Sequence, residues 1–414
     1  MDSNQQLLVN LLSAAIRGQK YKKNIEKGVN WQAVFEESKA HQIHTLIYPI
    51  VKNRDTHPEP NNKLMSEWQK TTLFAGIEQI QHMQKMKDVL SAFNQSNIPV
   101  IALKGLVLRE LYPQPELRTM GDADILVHKD HMSDAKNLLL QIGYYESRAD
   151  SKHIHFSHPT HLAVELHQRL TNPKFIQHTQ SFEAAIWKNA LPVDICNVPV
   201  LKLAPEDQIL YLCLHMASHF LRSGFGLRQL CDLVLLVESL ESAIDWRVFY
   251  QRSEIYGIQR FTTILFTLCK QMFDMKTPYP LDTLPEDETS YGNPLIDEIA
   301  DDIISSGVFG NKTFARVFGN SLLQYADYKD CSHFSGKVKY YMSLLFPAPK
   351  RLAHRYAYAV KYPFLTPVAW MHRIIHHMSR KEFMFYVKAT LFSSKKTVSV
   401  LKKRAKLLHR SGLQ

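Results

Sequence analysis

The chain has no apolar run approaching the roughly 20 residues needed to span a bilayer, and only 5 of its 414 residues are cysteine. Cys196, Cys213, Cys231, Cys269 and Cys331 are scattered, odd in number and contain no CxxC pair. That excludes a disulfide frame and a cysteine-based zinc site, and reads as free thiols in a reducing cytoplasm. The opening Met1-Asp2-Ser3-Asn4-Gln5-Gln6 lacks the basic-then-apolar pattern of a signal peptide. Internal repeats and low-complexity tracts are missing as well. Acid is scarce at one end: from Ala348 to Gln414 a single acidic residue, Glu382, faces fifteen Lys or Arg. This segment carries +14 of a chain total of +11, which leaves −3 for everything before it. Such a segment suits anionic lipid, nucleic acid or an acidic partner, or forms a solvated helical face. No nucleic-acid-binding motif accompanies it, so nucleic acid is the disfavoured partner. An anionic membrane surface, met peripherally from the cytoplasmic side, is the preferred one.

What is present is mostly helical. Leu7, Leu8, Leu11, Leu12 and Ile16 fit a 3.6-residue period, and 31–38, 40–51 and 61–94 continue it. After Pro205-Glu206-Asp207, which places acids at a helix start, helices are expected over 208–221, 227–240, 246–250 and 259–275. A surface loop rich in Pro, Asp and Glu is expected over 277–293.

Between these regions the pattern changes. Val100–Leu103 is a short apolar run ending in Lys104-Gly105, a helix is expected over 106–111, and Asp122-Ala123-Asp124-Ile125-Leu126-Val127 reads as a second strand. Residues two apart on a strand share a face, so Asp122 and Asp124 present two carboxylates to one spot. Like charges so placed call for a cation between them, and an oxygen-preferring Mg²⁺ is the natural candidate. Gly105 lets backbone approach a ligand, and a following helix start would favour phosphate. Glu165, mid-strand in Leu162-Ala163-Val164-Glu165-Leu166-His167, is costly to bury unpaired and is the best third acid. The plainer alternative makes Asp122 and Asp124 loop caps and Glu165 a wet-edge residue.

His153, His155, His158, His161 and His167 crowd one region, with 153 and 155 on one face where a transition metal could bind, but no cysteine or close acid completes an obvious site. His167 also suits the wall of a cleft. His215 and His219, at i and i+4, look like half a zinc site but lack the intervening glutamate of the protease signature. Arg228 and Asp232, also i and i+4, would pair on a helix surface.

Leu103-Lys104-Gly105, Leu111-Tyr112-Pro113, Arg118-x-x-Gly121-Asp122-x-Asp124-Ile125-Leu126-Val127 and Val164-Glu165-Leu166-His167 together resemble the bacterial nucleotidyltransferase-like family of the DNA polymerase beta-like superfamily, often found beside polysaccharide and peptide biosynthesis genes. The resemblance continues in His215-x-x-x-His219, Leu227-Arg228-x-Leu230-x-Asp232 and Leu345-Phe346-Pro347. It implies transfer of an NMP from an NTP to a hydroxyl acceptor (a small molecule, sugar or protein) with Mg²⁺ or Mn²⁺. Asp122, Asp124 and Glu165 would be the catalytic, metal-binding acids. Lys104, Gly105, Arg118, Gly121, His167, Arg228 and Asp232 would form the nucleotide side. One departure stands out: the superfamily's Gly-Ser is here Gly105-Leu106. A non-catalytic nucleotide sensor or assembly factor, or a phosphotransferase of the same fold, is the alternative.

The expected fold class is α/β, more narrowly α+β: a small mixed-sheet nucleotidyltransferase core flanked by an N-terminal and a larger C-terminal helical region. The expected boundaries are 1–95, 96–200, 201–345 and a basic helical tail at 346–414.

Overall fold

A computed structural model of the chain describes residues 1–25, 28–53, 59–149, 153–171, 180–276, 294–308, 310, 346–349, 352, 356–378 and 395–413. The loop expected over 277–293, the basic aromatic stretch 381–392 and Cys331 lie outside them. Two compact units form: Met1–Phe309 with Arg410–Gln414, and Gly310–His409.

The first unit opens with α1 (Ser3–Ile16), started by a reciprocal Asp2–Gln5 capping box. It continues with α2 (Trp31–Ala40), α3 (His44–Lys52) and the 34-residue α4 (Asn62–Gln95). Helical periodicity decides these elements: α4 buries Leu64, Trp68, Thr72, Gly76, Gln79, Met83, Met86, Leu90 and Phe93, spaced by three or four residues.

The chain then enters β1 (Val100–Ala102), the single turn α5 (Gly105–Leu108), β2 (Asp122–Val127), α6 (Met132–Gln141), β3 (Tyr145–Ala149), β4 (His153–Ser157), β5 (Ala163–His167), α7 (Gln180–Asn189), β6 (Leu191–Ile195) and β7 (Val198–Lys202). The strands make one mixed seven-stranded sheet in the order β3-β4-β5-β2-β1-β7-β6. β2 pairs in parallel with β5 and antiparallel with β1, while β1 and β7 run parallel. One face of the sheet joins α4 and α6 in a core. Ala123, Ile125, Val127, Val164, Leu166, Ile154 and Phe156 meet Met83, Met86, Val89, Leu90, Phe93, Ala135 and Leu139 there. The pleat sends the alternate residues of β2, β5 and β4 to the other face, among them Asp122, Asp124, Glu165, His167, His153 and His155.

The α/β class is as read from the sequence, but the sheet is larger than expected. β6 and β7 were not legible as strands because Pro192 and Pro199 interrupt them. Their two-residue turn, Cys196-Asn197, has both residues at positive φ, 53° and 63°, the geometry of a tight hairpin turn without its usual glycine.

Helices α8 (Pro205–Arg222), α9 (Leu227–Leu240), α10 (Trp246–Ile255), α11 (Gln259–Phe273) and α12 (Pro294–Ser306) complete this unit. They are stitched to the N-terminal helices: Arg17 at the end of α1 holds Glu238 of α9 at 2.6 Å and donates to the Phe273 carbonyl at 2.8 Å.

The second unit contains α13 (Ala357–Lys361), α14 (Thr366–Met378) and most of α15 (Lys395–Arg410). A small core forms from Tyr356, Ala359 and Ala369, and the Trp370 indole donates to the Pro347 carbonyl at 2.8 Å.

Candidate active site

The site begins where β1 ends. Leu103 N–H donates to the Asp124 carbonyl at 3.0 Å, keeping the two strands together one residue past the ladder. Lys104 then turns at φ 45°, ψ −119°, a region in which a residue with a Cβ is strained by about 1–3 kcal/mol. The helix expected over 106–111 is one α turn followed by a 3₁₀ turn at Arg109–Leu111. The amides of Leu106, Val107 and Leu108 are taken by the Leu103 and Lys104 carbonyls. The phosphate cradle expected of a helix start is therefore not built here, and side chains must supply the positive charge. Gly105 is required for space: a Cβ there would land on Met120 Sδ and lie 2.8 Å from Arg118 Nη1. Gly121 needs no such allowance, since a Cβ there meets nothing within 4 Å.

Asp122 and Asp124 share one face of β2, and Asp124 is directly in register with Glu165 of β5. The Lys104 ammonium donates to Asp124 Oδ1 at 2.6 Å, and His167 Nε2 lies 2.8 Å from the same oxygen. Burial opposes ionisation of Asp124, but Lys104 and the His167 contact outweigh it and hold the carboxyl well below its ordinary range. Asp122 goes the other way. Burial, and then the charges of Asp124 and Glu165, push it up to about 6. Glu165 is held below its usual value: burial raises it, and the contact with His167 together with the charges of Lys104 and His153 overcomes that.

Beside the acids, His153 Nε2 lies 3.5 Å from Glu165 Oε1 and His167 Nε2 lies 3.4 Å from Glu165 Oε2. The donor atoms of these three residues lie within 4.8 Å of one another, the one such metal-ligand grouping among the described residues. The three carboxylates do not gather that tightly, since Asp124 is engaged with Lys104 and His167. Glu165, two residues before His167 on β5, is the acid that joins His153 of β4 in this grouping. His155, read as the partner of His153, hydrogen-bonds Ser147 Oγ instead, at 2.7 Å, and His158 and His161 face each other with Nδ1 atoms 2.6 Å apart.

The opposite wall comes from α8 and α9. Leu212, His215, Ser218, His219 and Arg222 lie on one face of α8. Arg228 and Asp232 do not pair along α9 as their spacing suggested. Asp232 accepts two bonds from Arg118, at 2.6 Å from Nη2 and 3.2 Å from Nε, and a third from the Tyr112 hydroxyl at 2.8 Å. Arg228 Nη1 donates to Gln42 Oε1 and to the Thr119 carbonyl, while its buried Nε has no hydrogen-bond partner. Burial, then the neighbouring Arg118, lowers its affinity for the proton to a pKa of about 10. The charges of Asp232 and Asp122 act on it in the opposite sense.

Two positioning residues gave no sequence signal. Gln79, buried on α4, donates to the Met120 carbonyl at 3.1 Å and accepts from Met120 N–H at 2.9 Å, clamping the approach to β2. His41, fully buried, accepts from Leu227 N–H at 3.2 Å and meets the Ile304 carbonyl at 3.0 Å, fixing the start of α9. Only a buried-polar count made on the structure finds them.

Lys104, Gly105, Arg118, Gly121, Asp122, Asp124, Glu165, Arg228 and Asp232 all line one cavity of about 290 Å³ together with His153, His215, His219 and Arg222. His167 lies under its floor with no exposed surface. A larger cavity of about 650 Å³, between α1, α3 and the Pro113 loop, holds no acid or histidine. The donor chemistry of the smaller one fits a hard divalent cation. Carboxylates from paired strands line it, and burial, then the charges of Asp124 and Glu165, push Asp122 up to about 6.

A family model described as an uncharacterised nucleotidyltransferase matches residues 27–274. No curated protein matches, and no solved structure does. The matched segment covers more than half of the chain and contains every residue lining the cavity. The chain belongs to this nucleotidyltransferase family.

Proposed function

We propose that the protein transfers an NMP from an NTP to a hydroxyl acceptor in a divalent-cation-dependent reaction, on a core of the DNA polymerase beta-like kind. The observation that carries this reading is the register of β2 against β5. It sets Asp124 beside Glu165, with Asp122 on the same face, in a cavity whose helical wall bears Arg222, Arg228, His215 and His219. A Mg²⁺ or Mn²⁺ ion held by Asp122, Asp124 and Glu165 would neutralise phosphate charge and acidify an attacking hydroxyl. The protein's own groups do the rest. Arg228, lining the cavity, offers its positive charge to phosphate. Lys104 is poised to exchange Asp124 for a phosphate oxygen. Arg118 is committed to Asp232 and serves to hold α9 and the β2 approach in place. Glu165 would help hold the ion that acidifies the acceptor or, where it does not bind the ion, take the acceptor's proton itself.

Full-length protein with α-³²P-labelled NTPs and Mg²⁺ or Mn²⁺ should pass label to an acceptor in a cell extract. D122N/D124N should reduce the transfer by at least about 10³-fold, as expected for loss of metal-borne stabilisation. Label arriving from the γ-position would replace this reading with a phosphotransferase. Nucleotide binding with no transfer would favour a sensor, a reading the Lys104–Asp124 ion pair and the Leu106 departure support.

The second unit adds a surface. Phe364, Val368, Met371 and Ile375, spaced four, three and four residues apart, are exposed by 56–77% on one side of α14 and its leading turn. Such an apolar stripe within a +14 segment suits the headgroup zone of an anionic membrane. No described helix is long and apolar enough to cross one.

A further inference from the structure

The acids account for the cavity floor, and two imidazoles lie beside Glu165. His153 and His167 stack at a ring-centroid separation of 4.9 Å, and each directs Nε2 at a different oxygen of one carboxylate, at 3.5 and 3.4 Å. Those separations are long for N–H···O hydrogen bonds, which cluster near about 2.9 Å. Donors bonded at about 2.0–2.2 Å in tetrahedral array lie about 3.3–3.6 Å apart, and the possible ligand atoms of these three residues all lie within 4.8 Å of one another. His167 Nδ1 is buried and has no partner, so Nε2 is the edge through which the ring acts. The same Nε2 is 2.8 Å from Asp124 Oδ1, which makes this cluster continuous with the Asp122–Asp124 pair.

We infer that His153, Glu165 and His167 form a second cation position adjoining the acidic pair, one whose nitrogen donors select Mn²⁺ or Zn²⁺ over Mg²⁺. Imidazole suits borderline first-row ions, whereas Mg²⁺ keeps to oxygen ligands and water. With a cation at the imidazole edge, the Asp124 oxygen would be left to Lys104 or to the neighbouring ion. The inference rests on the proposed metal-dependent site but is tested separately from it.

The test is pulsed EPR of the full-length protein loaded with one equivalent of Mn²⁺ and no nucleotide. Electron spin echo modulation from directly bound ¹⁴N is expected, reduced by about half in H153Q. It should persist under a hundredfold excess of Mg²⁺. Growth on ¹⁵N-histidine should shift the modulation to the ¹⁵N frequencies in wild-type protein, which gives the same answer if H153Q does not fold. Bound Mn²⁺ without nitrogen modulation, or modulation unchanged by H153Q, would overturn the second position. In either of those outcomes the acidic pair would still bind Mn²⁺ and label transfer would survive, so the two failures are distinguishable. Loss of Mn²⁺ binding altogether would sink both.

Discussion

Lys104 carries two burdens at one position. Its backbone sits at φ 45°, where glycine is favoured, while its ammonium neutralises buried Asp124. The two effects separate by substitution. K104A keeps the strain and loses the charge; K104G loses both. K104G should therefore be more stable than K104A by about 1–2 kcal/mol in chemical denaturation, with both defective in nucleotide binding. Equal stabilities would remove the strain argument. Asp232 gives a sharper loss. D232A strips the Arg118 guanidinium of its carboxylate in a site where both side chains are almost wholly buried, and should cost about 3–5 kcal/mol. These residues also mark the limit of reading by sequence. Asp122, Asp124 and Glu165 were legible because strand alternation places them before any fold is known. Arg118 with Asp232 was not: 114 residues separate them, and the i, i+4 rule pointed Asp232 at Arg228 instead.

At the scale of elements, the site depends on a helix remote in sequence. Gln79 of α4 satisfies both backbone groups of Met120. Q79L would leave a buried N–H and C=O unmet, at about 1–3 kcal/mol each, and should raise the nucleotide Kd or KM more than it lowers kcat. A hairpin built around Pro192 and Pro199 was similarly hidden, because local rules demote proline from strands although an edge position tolerates it. Helices were easier to see, since 3.6-residue periodicity survives local exceptions; α9 begins and ends where the apolar spacing does. The start of α3 carries a pH effect. Burial, assisted by Lys39, lowers His44 from 6.5 to about 4, so the folded state holds it neutral while the unfolded chain takes a proton below pH 6.5. Its contribution is intact above 6.5 and disappears as pH falls toward 4, by at most about 3 kcal/mol. Denaturation at a series of pH values should show this acid limb, and H44Q should flatten it.

Across the whole chain, positive charge concentrates after Ala348, and Phe364, Val368, Met371 and Ile375 are exposed within that segment. The basic end was plain from composition alone, but the apolar stripe on α14 needed the structure, because exposure and not residue type distinguishes it. F364S/M371S/I375S should weaken cosedimentation with vesicles containing about 30% anionic lipid by at least tenfold, and raised salt should weaken the wild type in the same direction. Binding that ignores both changes would remove the membrane proposal without touching the catalytic one.

Arg410 lies 3.3 Å from Glu298, and its carbonyl receives the Arg260 Nε–H at 2.7 Å. The chain from Arg410 onward thus belongs to the unit that holds the candidate site, although the residues just before it belong to the second unit. Clipping the polypeptide anywhere after residue 309 would tear away a clasp on α11 and α12 along with the lysines. Any deficit seen in such a shortened protein would mix lost adhesion with a loosened scaffold, so the lipid question belongs to point changes on α14.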